Sequence, residues 1–203
     1  DEIARLMEKS DSPVIIKPQT GSGSELVFLC RNIEEGRRAF GEAQSRLQVH
    51  PNVRMYAPET ASSRDQDARL ALVAEEFIEG VEFSADMYVD AGGGEIIRLA
   101  RKIPAENQSR VTTLGYILPA ELPPGMKREE LREQFLAAAG ALGLVRSLCM
   151  VDFIIRNDKA YILELTPRIG GDCLPFLIEK SCGLDMLGLA LDFSEGKAPQ
   201  IPA

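Results

Sequence analysis

Two apolar runs late in the chain each carry one carboxylate, and this constrains the fold more than any other feature. Asp152 interrupts Met150–Ile155, and Glu164 interrupts Tyr161–Leu165. The turn-forming pair Asn157-Asp158 lies in the gap, so the runs read as a β-hairpin. A carboxylate in a core strand is costly unless it meets a cation or a donor. Strand parity sets Glu164, Thr166 and Arg168 on one face of an extended strand. Asp152 joins that face only if the connection holds an odd number of residues, such as 157–159. A turn of Asn157-Asp158 alone puts the two acids on opposite faces. Together, the acids suit an oxygen-liganded Mg²⁺ shared with phosphates. The plainer alternative is that one acid caps a turn or pairs with Arg156 or Arg168.

The rest of the chain alternates strands and helices. Residues 2–9 read as a short helix. Pro13–Pro18 reads as a buried strand, residues 19–24 as a flexible loop, and Leu26–Cys30 as the returning strand. Asn32 with Glu35 three positions later is a capping box. It opens a helix to about Val49, with Ile33, Phe40 and Leu47 on one stripe. Residues 51–69 read as loop. Strands follow over Ala71–Ile78, Glu82–Val89, Glu95–Ile103 and Val111–Leu118, broken at Gly80 and at Gly92–Gly94. Pro123-Pro124-Gly125 precedes a helix from about Lys127 to Leu142, with Leu131, Phe135, Ala138 and Leu142 at helical spacing. The carboxylate hairpin and two short helices, near 175–181 and 184–193, close the chain. Strand meanders with helices on one face make an α+β fold with antiparallel sheets, not a doubly wound one. Neither a G-x-G-x-x-G turn nor a G-x-x-x-x-G-K-[ST] loop is present.

Two further clusters carry chemistry. Lys17 ends an apolar strand and adjoins Thr20-Gly21-Ser22-Gly23-Ser24. Glycines let backbone amides approach an anion closely, so lysine and loop together suit a polyphosphate. The plainer alternative is a snorkelled lysine beside a mobile tip. Glu75-Glu76-Phe77-Ile78-Glu79-Gly80-Val81-Glu82 joins two strands. Its backbone could read an adenine edge and Glu82 could hold ribose hydroxyls, or its acids could guard a sheet edge against pairing. Arg168 precedes Gly170-Gly171, an arrangement suited to bidentate anion binding.

Charge and cysteine usage narrow the classes. Asp and Glu number 31 against 23 Lys and Arg, a net charge of -8, so nucleic acid is not an expected partner. No apolar run approaches the roughly 18 residues of a membrane span. The four cysteines form no C-x-x-C pair and the one histidine is His50, so zinc and histidine-based catalysis are not expected. Reduced thiols point to the cytoplasm. The chain opens on Asp1, as expected of an expressed fragment or processed product.

Taken in order, PVIIKPQTGSGS, LVAEEFIEGVEFSAD and VDFIIRNDKAYILELTPRIGGD resemble the ATP-grasp superfamily, in its carboxylate-amine/thiol ligase branch. The resemblance implies two α+β lobes enclosing ATP: a small lobe over residues 1–78, with its hinge at 75–78, and a large lobe over 79–203. It implies that Lys17 holds phosphates under the flap Gly21, Ser22 and Gly23. Glu75 sits near the adenine amino group, with Glu76, Phe77 and Ile78 supplying the hinge contacts, and Glu82 takes the ribose. Asp152, Glu164 and Thr166 resemble ligands of Mg²⁺, for which Mn²⁺ can substitute. Thr166 stands where the family often has asparagine. Arg168 resembles the arginine on the substrate carboxylate or transferring phosphoryl group, and Arg101, Lys102 or Arg110 is a second basic contact. The implied enzyme is an ATP-dependent ligase activating a small carboxylate for attack by an amine. A non-catalytic nucleotide-sensing module is the alternative. The family's N-terminal domain does not fit into residues 1–13, so a missing domain or partner subunit is implied, and a homodimer is compatible.

Overall fold

A computed structural model describes residues 2–10, 12–56, 70–105 and 113–201. Two compact units divide the chain: residues 1–78 with 104–112, and residues 79–103 with 113–203.

The first unit holds helix α1 (Glu2–Ser10), strands β1 (Val14–Pro18) and β2 (Phe28–Cys30), helix α2 (Ile33–Gln48) and strand β3 (Leu72–Glu76). Its sheet is antiparallel in the order β2-β1-β3. Val14 and Ile16 alternate onto the apolar side, where they pack with Phe28, Ala39, Ala43 and Leu47. Asn32 caps α2 as expected, its Oδ1 accepting from the Glu35 amide at 2.9 Å, but the return bond differs from a capping box: Glu35 Oε2 accepts from the Arg31 amide at 2.8 Å, one residue before the cap. The buried stripe of α2 runs through Gly36, Ala39, Ala43 and Leu47. Phe40, expected on that stripe, is 39% exposed. A seven-residue repeat drifts by about 20° per step on a 3.6-residue helix, and the i, i+4 series of small residues lies closer to the sheet. Residues 57–69, the greater part of the expected 51–69 loop, and residues 106–112, which include Arg110 and the start of the expected Val111–Leu118 strand, lie outside the described residues.

The second unit holds β4 (Val81–Asp90), β5 (Gly93–Pro104), β6 (Thr113–Ile117), α3 (Arg128–Ala141), β7 (Ser147–Arg156), β8 (Lys159–Thr166), α4 (Leu174–Cys182) and α5 (Met186–Ser194). Its antiparallel sheet runs β6-β5-β4-β7-β8. One face carries Phe83, Ala85, Met87, Val151, Phe153 and Leu99, covered by Leu131, Phe135 and Ala139 of α3. The other face carries Glu82, Ser84 and Asp86 of β4, and is closed at one side by Ile178, Leu184, Met186 and Leu189 around Ile97 and Ile169. The strict alternation of VEFSADM produces both faces from one strand.

Two β-bulges decide what the polar face contains. Arg156 pairs with Lys159, so the β7-β8 connection is the two-residue turn Asn157-Asp158, with both residues at positive φ. That turn was expected to send Asp152 and Glu164 to opposite faces. The structure corrects this. The register shifts beyond Phe153↔Ile162, Leu163 is left over, and Asp152 pairs with Glu164. Without the extra residue Glu164 would lie opposite Val151, on the core side. The β4-β5 hairpin repeats the device. Asp90 pairs with Gly93, Ile97 is left over, and Asp86 pairs with Arg98. An unbulged strand would set Arg98 opposite Ala85, in the core. Each bulge therefore moves charged side chains from the apolar to the polar face.

Candidate active site

The polar face of the second unit gathers most of its charge around Lys102. From β5 its Nζ reaches Glu82 Oε1 and Asp152 Oδ2, each at 2.7 Å. The lysine is nearly buried, with 9% of its side chain exposed. Burial pushes its pKa down, but the Asp152 and Glu82 carboxylates outweigh burial and hold it above the ordinary lysine value. The other oxygen, Asp152 Oδ1, is buried and has no hydrogen-bond partner among the described residues. Leaving such an acceptor unsatisfied costs about 1–3 kcal/mol. Glu164 stands directly opposite Asp152 and receives a 2.7 Å hydrogen bond from Thr166 Oγ1.

These residues fit a divalent cation. Two facing carboxylates, one with an orphaned oxygen, and an adjacent hydroxyl form an all-oxygen donor set. Among the described residues no cluster of three or more acidic, histidine or cysteine side chains is arranged for a metal. Two carboxylates and one hydroxyl leave most of a divalent ion's coordination to phosphate and water, as Mg²⁺ usually has it.

Of the three candidate second cations, only Lys102 is seen on this face. Arg101 pairs with Phe83 and so belongs to the opposite side of the sheet. Arg168 does not neutralise Glu164. Its Nη1 donates to the Ile169 carbonyl at 2.9 Å, and among the described residues it makes no ion pair.

In the first unit Lys17 and Glu75 share the sheet face away from the core and form a 2.8 Å ion pair. Sequence reasoning gave these two residues separate tasks and did not anticipate their contact, because β1-β3 pairing is long-range. Phe77, counted among the hinge residues, spends its amide on the Pro13 carbonyl at 2.8 Å. Antiparallel alternation then points the backbone groups of Glu76 and Ile78 away from β1. Among the described residues β3 is an edge strand, so no described strand pairs with these groups. Gly21, Ser22 and Gly23 are exposed, and Gly23 has φ 66°. Anchoring begins just beyond the expected 19–24 loop, whose residues 21–24 are all exposed. Leu26 is buried beside it, and Glu25 accepts a 3.0 Å hydrogen bond from the Tyr56 hydroxyl. His50 packs edge-on against that tyrosine and is a fixture of the loop anchor.

Sequence reading missed Ser84, Asp86, Arg98 and Tyr116. Asp86 and Arg98 form a buried 2.6 Å ion pair, and Tyr116 donates to Asp172 at 3.1 Å. The signal for the first two was present. Glu82, Ser84 and Asp86 share one parity in β4 against Phe83, Ala85 and Met87, which marks a strand with one polar face.

A family model described as "ATP-grasp domain" matches residues 10–176. The chain belongs to the ATP-grasp family. Among curated relatives, carnosine synthase 1 of Mus musculus is 24% identical over 100% of this chain and 23% of its own length. Alanine–anticapsin ligase of Bacillus amyloliquefaciens is 23% identical over 100% of this chain and 43% of its own. The chain thus spans less than half the length of either. Among solved structures, the biotin carboxylase domain of the Hydrogenobacter thermophilus 2-oxoglutarate carboxylase, in complex with MgADP, ADP and bicarbonate, superimposes with a TM-score of 0.72. It is 22% identical, over 99% of this chain and 40% of that one. The ATP-grasp fold is α+β with antiparallel sheets, and among the described residues no helix is long and apolar enough to cross a membrane.

Proposed function

We propose that this chain is the ATP-grasp unit of a ligase that activates a carboxylate as an acyl phosphate for attack by an amine. The observation that carries the reading is the unpartnered oxygen of Asp152, a residue paired across the strands with Glu164 and held by Lys102 through its other oxygen. That arrangement favours a divalent ion arriving with a polyphosphate. Asp152 and Glu164, with Thr166, would hold Mg²⁺ or Mn²⁺, which when bound offsets the charge of the nucleotide phosphates.

In the first unit, Lys17 and the amides of Gly21, Ser22 and Gly23 hold phosphate oxygens. Glu75 faces the adenine amino group, the backbone of Glu76 and Ile78 reads the base edge, and Phe77 closes the hinge. In the second unit Glu82 takes the ribose. Arg168 offsets the negative charge of the transferring phosphoryl group and the substrate carboxylate, while Lys102 keeps Glu82 and Asp152 in place. A carboxylate oxygen attacks the γ-phosphorus, and the bond to ADP breaks. The amine nitrogen then attacks the acyl carbon, phosphate departs with the bonding pair, and the amine proton passes to solvent. Positioning and charge neutralisation carry such a reaction without a protein nucleophile. The named activities of the two curated relatives, a synthase and a ligase, support this class over a sensing module. The family's missing N-terminal portion, or a partner subunit, supplies the rest of the acid and amine sites. Free thiols at Cys30, Cys149, Cys173 and Cys182 favour the cytoplasm.

The test is ADP release from MgATP on addition of candidate acids and amines, using the longest available gene product. Glu164→Gln and Lys17→Ala should each lower turnover by about 100-fold or more while melting as wild type. Full activity in either would overturn the reading. Nucleotide binding without ADP release in the wild type would favour the sensing module.

A further inference from the structure

We propose that Asp86 and Arg98 are positioning residues that clamp the backbone of Gly170 and thereby aim Arg168; this rests on the reading of Arg168 as the anion-binding arginine. Asp86 is 1% and Arg98 6% exposed. Asp86 Oδ2 accepts from Arg98 Nε at 2.6 Å, and Asp86 Oδ1 accepts from the Gly170 amide at 2.6 Å. Arg98 Nη1 donates to the Ser84 carbonyl at 2.8 Å and Nη2 to Ser84 Oγ at 3.4 Å. The loop amide is thus a third partner of a buried ion pair.

A side chain at Gly170 would crowd the clamp. A Cβ at position 170 would lie 2.6 Å from Arg98 Nη2, 3.0 Å from Leu174 Cδ1 and 3.2 Å from Asp86 Oδ2. The neighbouring Ile169 is held in the small cluster with Ile178 and Leu184. The Arg168 amide is fixed to the Thr166 carbonyl at 2.8 Å. Arg168 is therefore an exposed side chain on a backbone pinned on both sides. Its Nη1 lies 3.6 Å from the position a Cβ on Gly171 would take, so the guanidinium lies over its own loop.

A buried ion pair is seldom retained for stability, because apolar residues of similar volume often serve as well or better. This pair depends on the Ile97 bulge to bring Arg98 out of the core, and it sits four residues along β4 from Glu82. Its distinctive product is the placement of one loop relative to the polar face.

The decisive variant is the double replacement Asp86→Leu with Arg98→Met. The readouts are thermal stability, hydrogen exchange at the Gly170 amide, and the dissociation constant for inorganic phosphate with saturating MgADP, followed by ³¹P NMR. The double variant should melt at or near the wild-type temperature. It should lose about tenfold or more of Gly170 protection, and about tenfold in phosphate affinity, the loss expected for a misplaced charged hydrogen bond. Its MgADP affinity should stay within about twofold of wild type. Asp86→Asn keeps the acceptor for Gly170 and should retain most phosphate affinity; Gly170→Ala should lose it. A folded double variant with wild-type phosphate affinity overturns the proposal, as does lower stability with phosphate binding unchanged. Should the double variant not fold, Gly170→Ala with wild-type phosphate affinity overturns it. Arg168→Ala is the separate control. If it binds phosphate as wild type does, or if the wild type binds none, the role given to Arg168 fails, and Gly170 protection alone decides whether the clamp exists.

Discussion

Each unit contains a lysine held by carboxylates on the polar face of a sheet, and the two lysines are in opposite physical situations. Lys17 makes a single contact with Glu75, with 30% and 44% of the two side chains exposed. Lys102 makes two contacts, to Glu82 and Asp152, with 9% of its own side chain exposed. Water screens the first pair, so its attraction is small and easily exchanged for another anion. The second cluster is poorly solvated, so its charges depend on one another. The comparison separates a lysine that can hand its charge to an arriving phosphate from one that keeps two acids in place.

The largest break in this comparison is Lys102→Met. Two half-buried carboxylates would lose their shared cation, and unfolding free energy in urea should fall by about 3 kcal/mol, as when one partner of a buried pair is removed. Raising the pH should act in the same direction. The pKa of Lys102 lies above the ordinary lysine value in the fold, so its contribution is complete below that value and is lost as pH rises through the folded one. A loss under about 1 kcal/mol would mean that Lys102 is as well solvated as Lys17.

Lys17→Ala is the matched, smaller perturbation. Stability should change by less than about 1 kcal/mol, and Glu75→Gln should do the same. Nucleotide affinity should fall in Lys17→Ala, measured by titration with MgADP. A stability loss equal to that of Lys102→Met would remove the distinction between the two sites.

Much of this contrast was legible in the sequence, and the missing parts have a common cause. The strands, the capped helix α2 and the 148–165 hairpin follow from local periodicity and turn chemistry. Asp152 and Glu164 were conspicuous because carboxylates in apolar runs demand partners. Their facing arrangement was not readable, since an extra residue within a strand leaves the alternation on either side intact. The same holds for Arg98, which local parity counted from the Ala91-Gly92 turn assigns to the core. The Lys17–Glu75 pair and the Asp86–Gly170 contact join residues 58 and 84 positions apart, a separation at which no local pattern operates. Phe40 failed for a simpler reason: the sheet selected the small-residue side of α2 over its largest apolar side chain.

The finest comparison uses one tyrosine from each unit. Tyr56 donates to Glu25 at 3.0 Å and Tyr116 to Asp172 at 3.1 Å. Burial is the first cause in both cases, reinforced by the acceptor carboxylate, and each phenol is pushed up to about 12 from an ordinary value of 10.0. The folded chain thus holds both protons more tightly than the unfolded one. Their contribution is complete below pH 10 and is lost as pH rises through about 12. Ultraviolet titration of phenolate should show a late step to which both residues contribute. Tyr116→Phe should remove one tyrosine's share of it and leave that of Tyr56, while Tyr56→Phe should do the reverse and also loosen the loop that Glu25 anchors. Loss of the whole late step in either single variant would show that the two phenols titrate as one coupled system and are not independent reporters of the two units.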